Sequence, residues 1–464
     1  TNSGTGSEYT SNSVFGRVIY SYADRYLFQA NVRHDGSSRF AKGYRWGTFP
    51  SFSAGWVASE EKFMKNLKWD WLSFLKLRGS WGMLGNERIG SNYFPYIALM
   101  SFGNSLFYMA DGSVVSDKTA RPAVLAVEDI TWETTTSTDL GLDVNFLNNR
   151  LQFHFDYYWK ETKDMLLNIE IPYFMGYNNP STNAGKMSTH GYDIEVAWND
   201  QIGDFKYDIN VNFSDFLSKI DYMNDGEQIS GGKIKRAGVL FNEFYGYVCE
   251  GIYQTQEEVN NSARTSTTVT VGDLKYRDIS GPDGVPDGVI SPEYDRVPLG
   301  NSLPRFQYGG SLNASYKGID FSLAFQGIGK QNSYLSTSMV QPLRDNYGNV
   351  PAILEGKYWS PFNTTEENLA AKYPRLSNVS KSNNYATSSF WMFNGSYFRL
   401  KNITLGYTLP KSWTQKAGIN RARFYVSGSD LFCLSNFPSG WDPEMGTSDY
   451  PITTSLVMGI QVNF

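Results

Sequence analysis

The sequence predicts an all-β chain, an antiparallel β-barrel that crosses a membrane with its strands. Three observations carry the prediction. Apolar and polar residues alternate with period two in run after run, the polar sides of those runs carry ionised groups, and short connections alternate with long ones. Period-two alternation marks a strand with one apolar and one polar face. A soluble sandwich must pack two apolar faces together. A wide transmembrane barrel instead sets its apolar face against lipid and its charged face in a wet lumen.

The runs follow one another along the chain. Tyr26, Phe28, Ala30 and Val32 alternate with Arg25, Gln29, Asn31 and Arg33. Leu140, Leu142, Val144 and Phe146 alternate with Asp139, Asp143 and Asn145, and Leu151, Phe153, Phe155, Tyr157 and Trp159 with Gln152, His154, Asp156 and Lys160. Tyr192, Ile194, Val196 and Trp198 alternate with Asp193, Glu195 and Asn199, and Phe205, Tyr207, Ile209, Val211 and Phe213 with Lys206, Asp208, Asn210, Asn212 and Ser214. Weaker copies span Phe306–Tyr316, Ile319–Gly327 and Ala422–Gly428. In the last run Leu456, Met458, Ile460, Val462 and Phe464 share one face, and the chain ends on that aromatic. A tilted strand needs about 9–11 residues to cross a bilayer, and Leu151–Lys160 and Phe205–Ser214 reach that length. Phe153, Phe155, Tyr157, Ile194, Val196, Ile209 and Val211 are therefore expected to meet lipid. Asp139, Asp143, Asp156, Asp193, Glu195, Asp208 and Asn210 are expected to face the lumen.

Composition agrees. Hydrophobic residues make up 41% of the chain and mean hydropathy is −0.40. No run approaches the roughly 18 apolar residues of a spanning helix, so only a closed barrel could pair every backbone group in lipid. Aromatics, at 16%, suit interfacial girdles. A net charge of −5 without a basic run excludes nucleic acid as a partner. Cys249 and Cys433 are far apart in sequence, and their spacing does not decide whether they pair. The opening residues Thr1 to Ser7 read as a polar loop or a processed start.

Short turns are expected at Ala23-Asp24, Asn148-Asn149, 199–203 and Lys317-Gly318, with moderate links at 59–71 and 411–420. Long polar segments at 35–47, 85–129, 161–184, 219–303, 330–388 and 435–452 occupy the other ends. Short periplasmic turns and long external loops are the habit of outer-membrane barrels, and the alternation gives about thirteen spanning strands. An odd number places the first and last strands in the same direction. The chain is thus expected to be the C-terminal part of a longer barrel, or one piece of a split one.

Many segments resemble one family. They are Tyr22 to Arg33, Asp35-Gly-Ser-Ser-Arg-Phe40, Phe49 to Trp56, Leu75 to Gly82, Gly85-Asn86, Trp132-Glu133 and Gly272 to Asp278. Further along come Gly300-Asn301 with Pro304, Tyr358-Trp-Ser-Pro361, Tyr373-Pro-Arg-Leu376, Tyr397 to Tyr407 and Asp442-Pro-Glu444. In that order they resemble the SusC/RagA-type TonB-dependent transporters of Bacteroidota across nearly the whole of residues 1–464. The resemblance implies the last thirteen or so strands of a roughly twenty-two-stranded barrel in the outer membrane of a Gram-negative bacterium. It further implies a SusD-like surface lipoprotein as a lid, an oligosaccharide or peptide as ligand, and TonB acting through an N-terminal plug. Phe464, Val462 and Ile460 would be the signal read by the outer-membrane assembly machinery. A passive porin, or a surface scaffold or adhesin on the same barrel, is the alternative.

Two local features are candidates for chemistry. Within 219–303, Asp278, Asp283, Asp287 and Asp295 punctuate a glycine- and proline-rich loop, and Asp287-Gly288-Val289-Ile290 copies the centre of a Ca²⁺ loop. The alternative is a cluster of Asx turns. The aromatics Tyr358, Trp359, Tyr385, Phe390, Trp391 and Trp441 in the long loops are candidates for contact with ligand or lid, the alternative being packing of loop on loop. No organic cofactor is expected, and no enzyme. His34, His154 and His190 lack metal-ligand spacing, and neither a nucleophile elbow nor a phosphate loop is present.

Overall fold

The computed structural model describes residue 6 and residues 8–464 apart from 68, 90–92, 225, 336–339, 344–348, 378, 380 and 447–448. The segment Thr1 to Ser7, read above as a loop or processed start, therefore lies almost wholly outside the described residues. Thirteen strands hydrogen-bond in chain order in one sheet. They are β1 (Ser11–Tyr22), β2 (Tyr26–Ser37), β3 (Trp46–Val57), β4 (Leu72–Asn86), β5 (Glu133–Phe146), β6 (Leu151–Lys163), β7 (Gly185–Ile202), β8 (Phe205–Met223), β9 (Arg305–Tyr316), β10 (Ile319–Lys330), β11 (Tyr397–Thr408), β12 (Arg421–Ser435) and β13 (Ser455–Asn463). The count equals the one read from the alternation. No described helix is long and apolar enough to cross a membrane.

The chain divides into two compact units, which share β8 between them. The first carries β1 to β6, β7 as far as Trp198, and the end of β8. Its tight turns use left-handed backbone: Ala23 and Asp24 both have φ 52°, and Leu147, Asn148 and Asn149 have φ 53°, 57° and 64°. Asp and Asn tolerate that region better than most residues. Between β3 and β4 the chain is tied back by Glu61. Its carboxylate accepts from Tyr26 Oη at 2.5 Å, Trp56 Nε1 at 3.2 Å and Arg25 Nη1 at 2.9 Å. At the other end, Phe40 and Ile130 are fully buried and pack with Trp132.

The second unit carries the start of β8 and β9 to β13. The β9–β10 hairpin closes on two residues, Lys317 (φ 45°) and Gly318 (φ 90°), between paired Tyr316 and Ile319. Two positive φ values in a two-residue loop match the right-handed twist of the flanking strands. The connections after β8 and after β10 fold together into a loop domain with its own core. Tyr247, Leu274, Tyr276, Ile290, Leu335, Val340, Leu354 and Trp391 are buried there. Short ribbons pair Cys249–Ile252 with Leu274–Tyr276 and Asn332–Tyr334 with Met392–Asn394.

Three segments singled out in the sequence meet in that domain. Gly272 has φ 87°, and a Cβ there would run into the Trp359 ring. Asp273, wholly buried, accepts from Arg375 Nε at 2.7 Å, from Asn384 Nδ2 at 2.9 Å and from the Thr270 amide at 2.9 Å. Arg375 N donates to Gly272 O, and Trp359 N to Tyr373 O. A buried carboxylate is tolerated because a guanidinium and two N–H donors satisfy it.

Several boundaries differ from the sequence expectation by a few residues, the ends of β7 and β8 among them. The turn at 199–203 is only Gly203-Asp204, because β7 keeps its strand conformation through Ile202. The long segment from 219 begins at 224, since β8 continues to Met223, where Ile220 and Met223 are buried against the loops instead of facing lipid.

The faces sort as a membrane barrel requires. Along β2 to β5, Phe28, Phe52, Leu77 and Leu140 are exposed, while charged residues on the opposite face are paired and partly buried. Exposed apolar rows over many strands would be a liability in water and are the lipid-facing surface of a barrel. Val211, opposite Gly310, lies in such a row. Val211→Arg should cost about 2–4 kcal/mol in folding into lipid vesicles, read from a urea titration, and Asn212→Lys on the other face far less. Equal costs would overturn the face assignment, and a larger cost at Asn212 would reverse it. Asp273→Asn should destabilise the loop domain by up to about 3 kcal/mol, below the full cost of a broken buried pair because Arg375 remains a quarter exposed. Limited proteolysis should then cut within 240–395 while the heat-modifiable barrel band persists. Unchanged cleavage would show that the ion pair does not hold the domain.

Candidate functional site

The register of the first unit builds the lumen wall. Asn31, Ser51, Gly82, Ser137 and Lys160 form one cross-strand row, and Gln29, Ser53, Ser80, Asp139 and Tyr158 the next. Two polar rows with small side chains at the centre leave a hollow. A cavity of about 670 Å³ lies over them, within the usual size of a ligand site. Its walls add Arg33 and Asp35, 3.1 Å apart, and the exposed Arg88. Arg17 Nη2 donates to Gln29 Oε1 at 2.7 Å, and Asn31 Nδ2 to Ser51 Oγ at 3.2 Å. At the outer rim Phe49 lies over Gly47 and Gly85, either of which would strike the ring if it carried a Cβ. Trp132 meets Phe49 edge-on at 5.3 Å.

Towards the other end of the same wall stands a charge network centred on Arg78. Its Nη2 donates to Asp156 Oδ2 at 2.6 Å and its Nε to Asp143 Oδ1 at 3.2 Å, with Asp139 at 3.7 Å. Gly141 makes this reach feasible: it sits in register between Arg78 and Asp156, and a Cβ there would collide with the guanidinium. Asp143 also contacts His154 Nδ1 at 3.0 Å and Lys76 at 3.9 Å. One bidentate-capable cation thus offsets three carboxylates that would otherwise repel one another. In the second unit Asp208 accepts from Asn313, and Asp320 pairs with Arg423. These side chains can bind, orient and screen a polar solute. None of them forms a nucleophile–base pair.

The loop aromatics named from sequence are brought together, but facing inwards. Trp391 is 1% exposed, and Tyr358, Tyr385, Phe390 and Trp441 pack around its cluster. Trp391 Nε1 donates to Asn384 O at 2.9 Å, and Trp359, also buried, donates to Gln254 Oε1 at 3.2 Å. Their rings are engaged by protein, so these aromatics hold the loop domain together. Outward apolar side chains include Phe362, 96% exposed, Leu369 and Val379. Phe362 follows Pro361 in an otherwise polar stretch, and no periodicity in the sequence marks it.

The four aspartates do not form a Ca²⁺ cage. Both Asp295 oxygens accept backbone N–H groups, from Ile279, Ser280 and Ser291, at 2.7–3.2 Å. Asp278 Oδ2 accepts from Gly288 N and Asp287 Oδ1 from Val289 N, while Asp283 is exposed. Only Asp278 Oδ1 is buried without a partner. Among the described residues no group of three or more His, Cys, Asp or Glu gathers as a metal needs. The loop is closed by carboxylate-to-backbone hydrogen bonds, of which the one from Val289 N to Asp287 is an Asx turn. Cys249 and Cys433 are both free, and burial pushes the Cys249 thiol up to about 11, which keeps it protonated. Ile460, Val462 and Phe464 are all exposed.

Comparison with known proteins agrees with this geometry. Residues 1–427 match the family model described as TonB dependent receptor-like, beta-barrel. The chain is 31% identical to TonB-dependent receptor P3 of Formosa agariphila, over 97% of its own length and 45% of the relative's. It is 30% identical to TonB-dependent receptor SusC of Bacteroides thetaiotaomicron, over 97% of its length and 43% of the relative's. The chain therefore spans somewhat under half of the curated relatives it matches. A solved structure of the RagAB peptide transporter superposes with a TM-score of 0.78 over 98% of this chain and 47% of that one, at 24% identity, a likeness of fold. With alternating faces, a charge-compensated polar wall and this match over most of its length, the chain belongs to the TonB-dependent receptor-like β-barrel family of the outer membrane.

Proposed function

We propose that this chain supplies wall and external loops to a SusC/RagA-type importer, which takes an oligosaccharide or peptide across the outer membrane. The observation that carries the reading is the hollow over the two polar rows, opposite an exposed apolar face. Serine hydroxyls, side-chain amides and a few charges suit a hydroxyl- or amide-rich solute that must bind and then leave, because each contact is modest. In this reading the wall contributes binding and orientation, in keeping with relatives named as receptors. Energy would come from TonB acting through a part of the longer relatives that this chain does not span. A SusD-like lipoprotein would close over the loop domain, where Phe362, Leu369 and Val379 offer apolar contacts with nothing of the described chain upon them. Insertion would use the outer-membrane assembly machinery.

Uptake by cells producing the full-length transporter tests the reading. Labelled oligosaccharides and labelled peptides should separate, one class entering and the other not, and entry should stop without TonB. Entry that persists without TonB would make the barrel a passive porin, and entry of neither class would leave a surface scaffold. Phe362→Asp should weaken lid retention in a pull-down of the complex without lowering barrel yield. Retention at the native level would move the lid contact elsewhere. Metal analysis of the calcium-equilibrated protein should find no ion at 278–295, and an ion there would restore the Ca²⁺ assignment.

A further inference from the structure

We infer that the segment Pro438–Gly446 is a charge-latched strap, folded onto the lumen face of the wall, which must lift to widen the passage there. The strap joins β12 to β13, and it is a unit in itself. Gly446 N donates to Asp442 O at 2.8 Å, Trp441 N to Pro438 O at 3.2 Å and Glu444 N to Asp442 Oδ1 at 2.9 Å. Its grip on the wall is ionic. Arg399 of β11 is 2% exposed, and its Nη2 donates to Asp442 Oδ2 at 2.6 Å. Arg399 Nε lies 2.6 Å from Glu444 Oε1, yet neither atom finds hydrogen-bond geometry, so that contact is one of charge alone. Gln326 of β10 donates to Glu444 Oε2 at 2.9 Å, and Lys401 is 3.6 Å from the same oxygen. Burial alone would raise the Asp442 carboxyl. The Arg399 hydrogen bond, the Glu444 amide and the guanidinium charge outweigh it and hold the group below its ordinary value.

Two features make this a latch rather than a fixed staple. Ion pairs regain hydration when they part, so a buried pair adds little net stability for all its closeness. The wall also keeps a partner of its own for the cations. Asp430 of β12, in left-handed backbone (φ 52°) opposite the irregular step at Leu400/Asn402, lies 2.7 Å from Lys401 and 3.8 Å from Arg399. If the strap lifts, neither cation is stranded. On its other side Trp441 packs against the core of the loop domain, so the strap connects that domain to the wall. The inference rests on reading the polar face as a passage, but its test does not depend on transport.

Cys433 is the built-in reporter, because it stands directly opposite Arg399 in the register and beneath the strap's carboxylates. In the full-length transporter carrying Cys249→Ser, a membrane-impermeant maleimide should label Cys433 slowly. In Asp442→Asn/Glu444→Gln it should label at least roughly tenfold faster, the change expected on losing one charge-assisted hydrogen bond. Equal rates, with the heat-modifiable barrel intact, would overturn the latch. If the double variant fails to fold, Glu444→Gln alone is expected to give a smaller rise, and no rise would again overturn it. A rise in labelling with uptake unchanged would leave the latch standing and refute only its bearing on passage.

Discussion

A strand in hydrocarbon has no water to receive its N–H and C=O groups, so it must hand each of them to a neighbouring strand. Once thirteen strands are paired, the register is set, and with period two the register also sets which side chains meet. The lumen wall follows from this constraint. Asn31, Ser51, Gly82 and Ser137 stand in one row because pairing puts them there, and a slip of one residue would turn the whole row to lipid. The same pairing delivers Arg78 to a glycine, Gly141, over which its side chain crosses to Asp156 on the next strand. Charge compensation on this barrel wall is thus a three-strand problem, solved by one long cation and one missing Cβ.

The loop domain answers a different constraint. A long connection has no sheet to pair with, so it must bury its own apolar surface and satisfy its own backbone. Its solution gathers polar groups inside the apolar core. Asp273, Asn383 and Asn384 are almost wholly buried and bind the chain at Leu274, Tyr276, Arg375 and Trp391. Such a centre specifies one arrangement, since a mispaired chain would leave a buried carboxylate or amide unsatisfied. Gly272 and Trp359 belong to the same arrangement, because only a residue without Cβ lets the ring settle.

These two kinds of order were unequally legible in the sequence. The strands could be read because alternation is local, and short turns such as Lys317-Gly318 carry their own signal. Even there the end of β7 is concealed, since Asn199 to Ile202 resembles a turn in composition and continues as strand in fact. The lumen assignments of Asp139, Asp143 and Asp156 followed from period alone. That Arg78 binds them did not, since its partners lie 65 and 78 positions away. The loop aromatics show the limit most clearly. Composition marks Trp391 and Trp359 as large and adhesive, but whether a ring faces solvent depends on what arrives from elsewhere. For Trp391 that is Leu274 and Leu335, and for Trp359 it is Gly272.

Motif residues in this chain are therefore better read as joints than as contacts for a ligand. Glu133 accepts from Asn86 and from the Leu166 amide, tying the outer end of β4 to the start of β5 and to the next connection. Asp273 ties two long connections to each other, and Asp442 ties the last connection to the wall. A carboxylate suits each of these joints because it can take two or more donors from different directions, which a hydroxyl or an apolar side chain cannot. The joints differ in how they end. Asp273 is enclosed in an apolar core, so releasing Arg375 would strand a buried charge. Asp442 sits at a polar wall where Asp430 remains to receive the freed cations. The first arrangement is built to persist and the second to be broken, a difference that lies in the surroundings of the ion pair more than in its length.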